Sequence, residues 1–242
     1  MSPASETVRR SLSVVIPAYN EATRLPKTLL EVDAFLRRQG YDSEIIVVDD
    51  GSRDGTLDRV RELAGSIPSI RVLTYGGNRG KGFAVKTGVL AASREAVLFT
   101  DADLSTPIAD VDRLWTFFDR GADVVIASRR HVSSEILVRQ PWRRRLIGRV
   151  FSLIVSTLGV RGFKDTQCGF KLFRAGTTRP IFPALKTDGF AFDVEILMRA
   201  RGLGLRIAEV PVRWTDSPDS RVHPVRDSWR MFLELLRMRG LI

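Results

Sequence analysis

Two acidic clusters stand out among the residues able to do chemistry. Asp49-Asp50 follows the apolar run Ile45–Val48, and Asp101-Ala102-Asp103 follows Val97–Thr100. Carboxylates two residues apart in an extended segment can point to one site. A hard cation such as Mg²⁺ or Mn²⁺ takes one or two of them together with phosphate oxygens and water. The same acids could instead cap the helices that follow, or shape turns. A third segment, Gly76-Gly77-Asn78-Arg79-Gly80-Lys81-Gly82, has the opposite character. Its glycines would let backbone N–H groups approach a phosphate at a helix N-terminus, with Arg79 and Lys81 as point charges; the other reading is a Gly-rich turn with incidental bases. It is neither a Walker A sequence, which ends in Gly-Lys-Ser/Thr, nor the dinucleotide fingerprint after a first strand.

These residues need a scaffold, and the first half of the chain supplies the pattern of one. Short β-branched runs at Leu12–Ile16, Glu44–Val48, Ile70–Thr74, Ala96–Thr100 and Asp123–Ala127 alternate with helical patterns at Arg24–Gln39, Thr56–Ala64, Gly82–Ser93 and Asp110–Arg120. Continuous apolar strands of about five residues separated by amphipathic helices predict an α/β doubly wound domain, a mostly parallel sheet covered on both faces. Ligands are then expected at the carboxyl ends of the strands, where the acids sit. Beyond Ser128 the rhythm changes. A basic stretch from Arg129 to Arg149 runs into an apolar helix pattern near Leu146–Leu158. A loop with Gly162, Gly169 and Gly176 follows, then a helix near Phe192–Arg201, a strand at Leu205–Val212 and a final helix over Val225–Met238. With no linker, repeat or low-complexity tract, the expectation is a tail over 1–11 and one domain over 12–242, its second half an elaboration of the sheet.

Composition bounds the function. Of 242 residues, 44% are hydrophobic and 27% charged, as in an ordinary globular protein. The single cysteine, Cys168, excludes an internal disulfide framework. No run approaches the ~18 apolar residues of a spanning helix, and Met1–Arg10 has no apolar stretch after its charges, so neither a membrane span nor a secretory signal is expected. The net charge of +10 is unevenly placed: residues 1–128 hold 16 Lys/Arg against 18 Asp/Glu, and 129–242 hold 22 against 10. Such asymmetry points to a polyanionic partner for the second half, namely nucleic acid, anionic lipid or a phosphate-bearing substrate, or else to a solvated arginine-rich surface. The basic residues lack an interleaved aromatic platform or a reading motif, which argues against nucleic acid.

Four motifs then share one pattern: Val14-Val15-Ile16-Pro17-Ala18-Tyr19-Asn20-Glu21, Val47-Val48-Asp49-Asp50-Gly51-Ser52, Asn78-Arg79-Gly80-Lys81-Gly82 and Asp101-Ala102-Asp103. In order and spacing they resemble the inverting GT-A glycosyltransferases of family 2. Asp165-Thr166-Gln167-Cys168-Gly169-Phe170-Lys171-Leu172-Phe173, Phe190-Ala191-Phe192-Asp193-Val194-Glu195 and Val212-Arg213-Trp214-Thr215 narrow the likeness to dolichyl-phosphate β-glucosyltransferases, with polyprenyl-phosphate mannosyl synthases as cousins. The resemblance implies a GT-A fold: 12–128 would bind the nucleotide sugar, and a basic half over 129–242 would face the acceptor and the membrane. It implies transfer of glucose from UDP-glucose, or alternatively mannose from GDP-mannose, to a polyprenyl phosphate. It implies Mg²⁺ or Mn²⁺ held by Asp103, and a peripheral place at the cytoplasmic face of a membrane. By the same resemblance Pro17, Ala18, Tyr19, Glu21, Asp49, Asp50, Arg79, Lys81, Asp101 and Ala102 would contact the donor. Ser128, Arg129, Arg139, Arg143, Arg145 and Arg149 would clamp the acceptor phosphate. Asp101, Asp103, Asp165 and Asp193 would serve catalysis, the last two as bases or as residues orienting an arginine or the sugar.

Overall fold

The structure, a computed structural model, describes residues 10–138, 160–216, 224–238 and 240, with only the backbone described over 224–228. The chain opens with β1 (Ser11–Ala18), α1 (Leu25–Arg38), β2 (Asp42–Asp49), α2 (Thr56–Ser66), β3 (Ile70–Thr74), α3 (Lys81–Ala91), β4 (Ala96–Thr100), α4 (Val111–Asp119) and β5 (Val124–Ser128). Every strand and helix expected in this half is present within a few residues. Then come β6 (Glu135–Val138), β7 (Phe170–Arg174), the short α5 (Ala175–Thr178), α6 (Phe192–Gly202), β8 (Ile207–Pro211), β9 (Arg213–Thr215) and α7 (Pro224–Met238). The expected helix near 146–158 lies outside the described residues.

Seven strands form one sheet in the order β3-β2-β1-β4-β7-β5-β8. All neighbours run parallel except β7, which pairs antiparallel with both β4 and β5. Residues 170–174 were read as part of a loop, and here the structure corrects the sequence. Their charged residues, Lys171 and Arg174, masked a strand that is buried over Phe170–Phe173.

Side chains alternate across the sheet, as the pleat requires. Val14 and Ile16 pack with Leu25, Leu29, Leu114 and Phe118 from α1 and α4, whereas Val15 packs with Val85, Phe99 and Phe192 on the α3 and α6 side. The helices following β1 and β2 thus cover one face and the helix following β3 covers the other. Between β1 and β4 the winding reverses, which is where such sheets open a ligand crevice. The register agrees: β1 pairs with β2 as far as Ala18–Asp49, but with β4 only to Val15–Phe99. Strands β6 and β9 form a separate parallel ribbon. It is tied down by Arg213, which grips Asp110 beside α4, and by the Thr215 N–H, which donates to the Ser105 carbonyl at 2.8 Å.

Candidate active site

A cleft of about 1310 Å³ opens at that reversal point, over the carboxyl ends of β1, β2 and β4. Pro17, Ala18, Tyr19 and Glu21 line it from the end of β1, Asp50 from the end of β2, Arg79 and Lys81 from the start of α3, and Asp101, Ala102 and Asp103 from the end of β4. Each of these was picked out in the sequence, and the fold brings them together. Asp49 does not line the cleft; its carboxylate accepts the Ser52 N–H at 3.3 Å and shapes the turn after β2.

Asp50 carries four kinds of protein donor. The Tyr75 hydroxyl (2.9 Å), Asn78 Nδ2 (2.8 Å), the Arg79 N–H (2.7 Å) and the Gly80 N–H (3.0 Å) all converge on its two oxygens. Half-buried and hydrogen-bonded to Asp50, the Tyr75 hydroxyl is pushed well above the ordinary tyrosine range, so it stays a donor. Two further amides are taken: Gly82 N–H and Phe83 N–H donate to the Asp188 carbonyl at 2.8 and 3.3 Å. Gly80 is needed there, because its φ is +107° and a Cβ would stand 2.5 Å from that same oxygen. The amides of Arg79, Gly80 and Gly82 are therefore engaged within the protein rather than open to a phosphate, holding the loop to Asp50 and to residue 188, while the Arg79 and Lys81 side chains line the cleft. Arg79 stacks 3.5 Å from the Phe83 ring centroid and lies 3.8 Å from Asp188.

Lys81 Nζ sits 2.7 Å from Asp101 Oδ1. The ion pair is close, but its angle does not make a directed hydrogen bond, so that buried oxygen has no directed donor. Burial alone would lower the Lys81 ammonium; the charges of Asp101 and Asp193 outweigh it and hold it above the usual lysine value. The Asp103 Oδ1 accepts the Ser105 N–H at 3.0 Å, which fixes this carboxylate on the rim. Among the described residues, no group of three or more His, Cys, Asp or Glu is arranged to hold a metal by itself. A divalent ion shared with diphosphate oxygens needs only one or two carboxylates, and the Asp101–Asp103 pair, with one oxygen lacking a directed donor, fits that requirement.

Asp165 and Asp193 lie outside the cleft lining. Asp165 is 3% exposed and takes Arg129 in a fork, Nε to Oδ2 at 2.6 Å and Nη2 to Oδ1 at 2.8 Å. Burial would raise its carboxyl, but the Arg129 charge and hydrogen bonds hold it well below the usual carboxylate range. Asp193 meets Lys171 at 2.5 Å. Burial raises its carboxyl, and the charges of Lys171 and Lys81 offset that only in part. Ser128 is buried, with its hydroxyl accepting the Arg130 N–H at 3.3 Å. Arg129 stands 5.6 Å from the Trp214 ring centroid. Neither lines the cleft. Arg139, Arg143, Arg145 and Arg149 lie outside the described residues.

The far wall was not anticipated. The segment Lys186–Phe190 and three polar residues of α7, Arg230, Glu234 and Arg237, face the strand ends. Glu195 builds this wall, accepting the Lys186 and Thr187 N–H groups at 3.0 and 2.8 Å and pairing with Arg199 at 2.7 Å. Its quoted motif was the available signal. The final helix, expected over Val225–Met238, contributes to this wall through these polar residues. No helix among the described residues is long and apolar enough to cross a membrane.

A model of glycosyl transferase family 2 matches residues 13–179. The chain is 40% identical over 240 residues to a dolichyl-phosphate beta-glucosyltransferase of Dictyostelium discoideum, spanning 94% of this chain and 73% of that protein. It is 34% identical over 247 residues to the Homo sapiens protein of that name, spanning 95% and 75%. Among solved structures it superimposes on glucosyl-3-phosphoglycerate synthase of Mycobacterium tuberculosis in complex with Mn²⁺ and UDP-glucose. That match has a TM-score of 0.66 at 22% identity and covers 96% of this chain and 79% of that one; likeness at this level speaks for the fold.

Proposed function

This chain belongs to glycosyl transferase family 2, and from that premise we propose that it transfers glucose from UDP-glucose to a polyprenyl phosphate of the dolichyl type. The products are a β-linked glucosyl-phosphoprenol and UDP. The observation that carries the reading is the acidic strand-end loop Asp101–Asp103 in a cleft at the winding reversal, in a chain whose relatives share one activity in their names.

The nucleotide lies along the ends of β1 and β2, with Tyr19, 39% exposed, as the available aromatic surface. Asp50 acts from beneath by holding the loop that presents Arg79. Asp103, beside Asp101, would hold a divalent ion, Mn²⁺ or Mg²⁺. When bound, that ion neutralises charge developing on the departing diphosphate. Lys81, kept protonated between acids, adds a fixed positive charge at the same end.

Attack comes from the lipid phosphate on the anomeric carbon, opposite the leaving UDP, which inverts the configuration. A phosphate monoester is already an anion at neutral pH, so no proton has to be removed. That agrees with the state of the two other acids: Asp165 and Asp193 each face an internal cation rather than the cleft. Arg129 has its Nε and Nη2 committed to Asp165 and lies outside the cleft lining, so on this reading other cations of the basic second half meet the acceptor phosphate. A lipid acceptor requires the protein to work at a membrane surface, with the basic second half turned to it.

The test is a transfer assay with purified protein, Mn²⁺ or Mg²⁺ and a short polyprenyl phosphate. UDP-glucose and GDP-mannose are offered in parallel, and the lipid product is weighed by mass spectrometry. A hexosyl-phosphoprenol from UDP-glucose alone is the expected result. Product from GDP-mannose alone would overturn the choice of sugar, and no product from either would overturn the reaction.

A further inference from the structure

Lys171 is the second residue of β7, an interior strand of the sheet, and its side chain is 0% exposed. A buried ammonium is costly unless it is fully partnered, and an apolar pair of similar volume is often as stable as a buried ion pair or more so. Stability alone therefore gives no reason for charge here. The partners do. Nζ donates to Asp193 Oδ1 at 2.5 Å and to the Cys168 carbonyl at 2.6 Å. Cys168 immediately precedes Gly169, the surface on which Asp101 rests. The Gly169 carbonyl accepts the Asp101 N–H at 3.1 Å, and a Cβ at Gly169 would stand 2.0 Å from Asp101 Oδ2. Lys171 and Lys81, the cation that meets Asp101 from the cleft, lie 5.7 and 5.4 Å from the centroid of one ring, that of Phe99.

We propose that Lys171 and Asp193 are a positioning pair for the metal and diphosphate end of the cleft. Asp193 holds the ammonium, the ammonium holds the Cys168 carbonyl, and the backbone at Gly169 then fixes the Asp101 carboxylate beside Asp103. The inference rests on reading Asp101–Asp103 as the donor end. Under it Asp193 is not a proton acceptor, since the oxygen that meets Lys171 is committed to the interior.

The variant to make is Asp193→Asn, with UDP binding measured by calorimetry with and without Mn²⁺, and kcat and KM measured for UDP-glucose. Supporting shells of this kind typically contribute about 10–100-fold to metal affinity. The expected result is a folded protein whose Mn²⁺-dependent gain in UDP affinity falls about tenfold, with KM rising in parallel. A drop in kcat alone, with UDP affinity and KM unchanged, is what loss of a base would give and would overturn the proposal; so would wild-type behaviour throughout. If Asp193→Asn does not fold, the double variant Lys171→Met/Asp193→Leu removes both charges and is read in the same way. Unfolding of both would also refute the proposal, because the pair would then hold the fold rather than the carboxylate. Failure of the unaltered protein to bind UDP would instead refute the donor reading on which the pair rests.

Discussion

Replacing Gly169 by alanine adds one methyl group and places it on the carboxylate that the cleft depends on. The built Cβ would lie 2.0 Å from Asp101 Oδ2, 2.3 Å from Cγ and 2.6 Å from Oδ1, whereas ordinary contact begins near 3.4 Å, so the carboxylate must retreat by about 1.4 Å. Gly169 does not occupy the left-handed region, so alanine adds steric pressure without backbone strain. Overpacking of this kind costs about 1–3 kcal/mol of stability. The functional effect is larger in proportion, because a misplacement of about 1 Å at reacting groups costs about 10²-fold. Glucosyl transfer in Gly169→Ala is thus expected to lose about 10²-fold in kcat/KM, equivalent to about 2.7 kcal/mol, in a protein that still melts cooperatively. Gly176→Ala is the control. Nothing lies within 4 Å of its Cβ and it sits in α5, so the substitution should leave transfer unchanged and stabilise the fold by about 0.4–1 kcal/mol. Gly169→Ala with wild-type kcat/KM would refute the claim that Asp101 must stand where it does.

Asp103→Ala should retain the wild-type melting temperature and lose at least about 10³-fold in transfer, together with the Mn²⁺-dependent part of UDP binding; full activity would remove Asp103 from the site. Asp165→Asn leaves Arg129 inside the protein without its charge partner. The expected loss is about 3 kcal/mol, seen as a melting temperature lower by roughly 6–12 °C, and an unchanged melt would refute the internal pairing. Glu44, hydrogen-bonded by Ser13, Ser93 and Arg71, has its carboxyl lowered to about 2 although burial opposes the shift. A folded value below the unfolded one contributes stability above about pH 4.5, and that contribution is lost as pH falls towards 2. Urea midpoints of the wild type and Glu44→Gln should therefore converge below pH 3. Their difference at pH 6 should be of order 1–2 kcal/mol, less than an unscreened pair would give because Arg71 is half exposed. A constant difference across that range would exclude Glu44 as the titrating group.

What the sequence made legible follows the strength of its local signals. The runs Ile45–Val48 and Val97–Thr100 are continuous and apolar and end in aspartate, so both the strands and the placing of their acids could be read from the residues alone. β7 could not be read, because its second residue is a lysine and the acid that neutralises it lies 22 positions away on α6. A buried ion pair hides a strand from any reading based on alternation. The Gly76–Gly82 loop illustrates a different limit. Gly80 and Gly82 are places of close approach, but what approaches them is chiefly the backbone of residues 187–189, and a Cβ at Gly76 or Gly77 would meet nothing within 4 Å. Composition identifies a tight loop without saying which partner fills it. The acids divide in the same way: Asp101 and Asp103 reach the cleft, while Asp165 and Asp193, equally prominent in their motifs, turn inward to cations that only the folded chain brings near.

The antiparallel insertion of β7 also governs the order in which the molecule can be made. Strands β1 to β4 pair among themselves, so the nucleotide half has its hydrogen-bonding partners once about 100 residues exist. β5 does not share that advantage. Both of its neighbours, β7 and β8, are encoded downstream, the first more than 40 residues later and the second about 80. While the chain emerges from the ribosome, β4 and β5 each present an open apolar edge that nothing yet synthesised can close, a condition that favours pairing with another chain. Closing those edges requires contacts distant in sequence, which form slowly. Arg129, just after β5, meets its partner Asp165 only once the segment ahead of β7 exists.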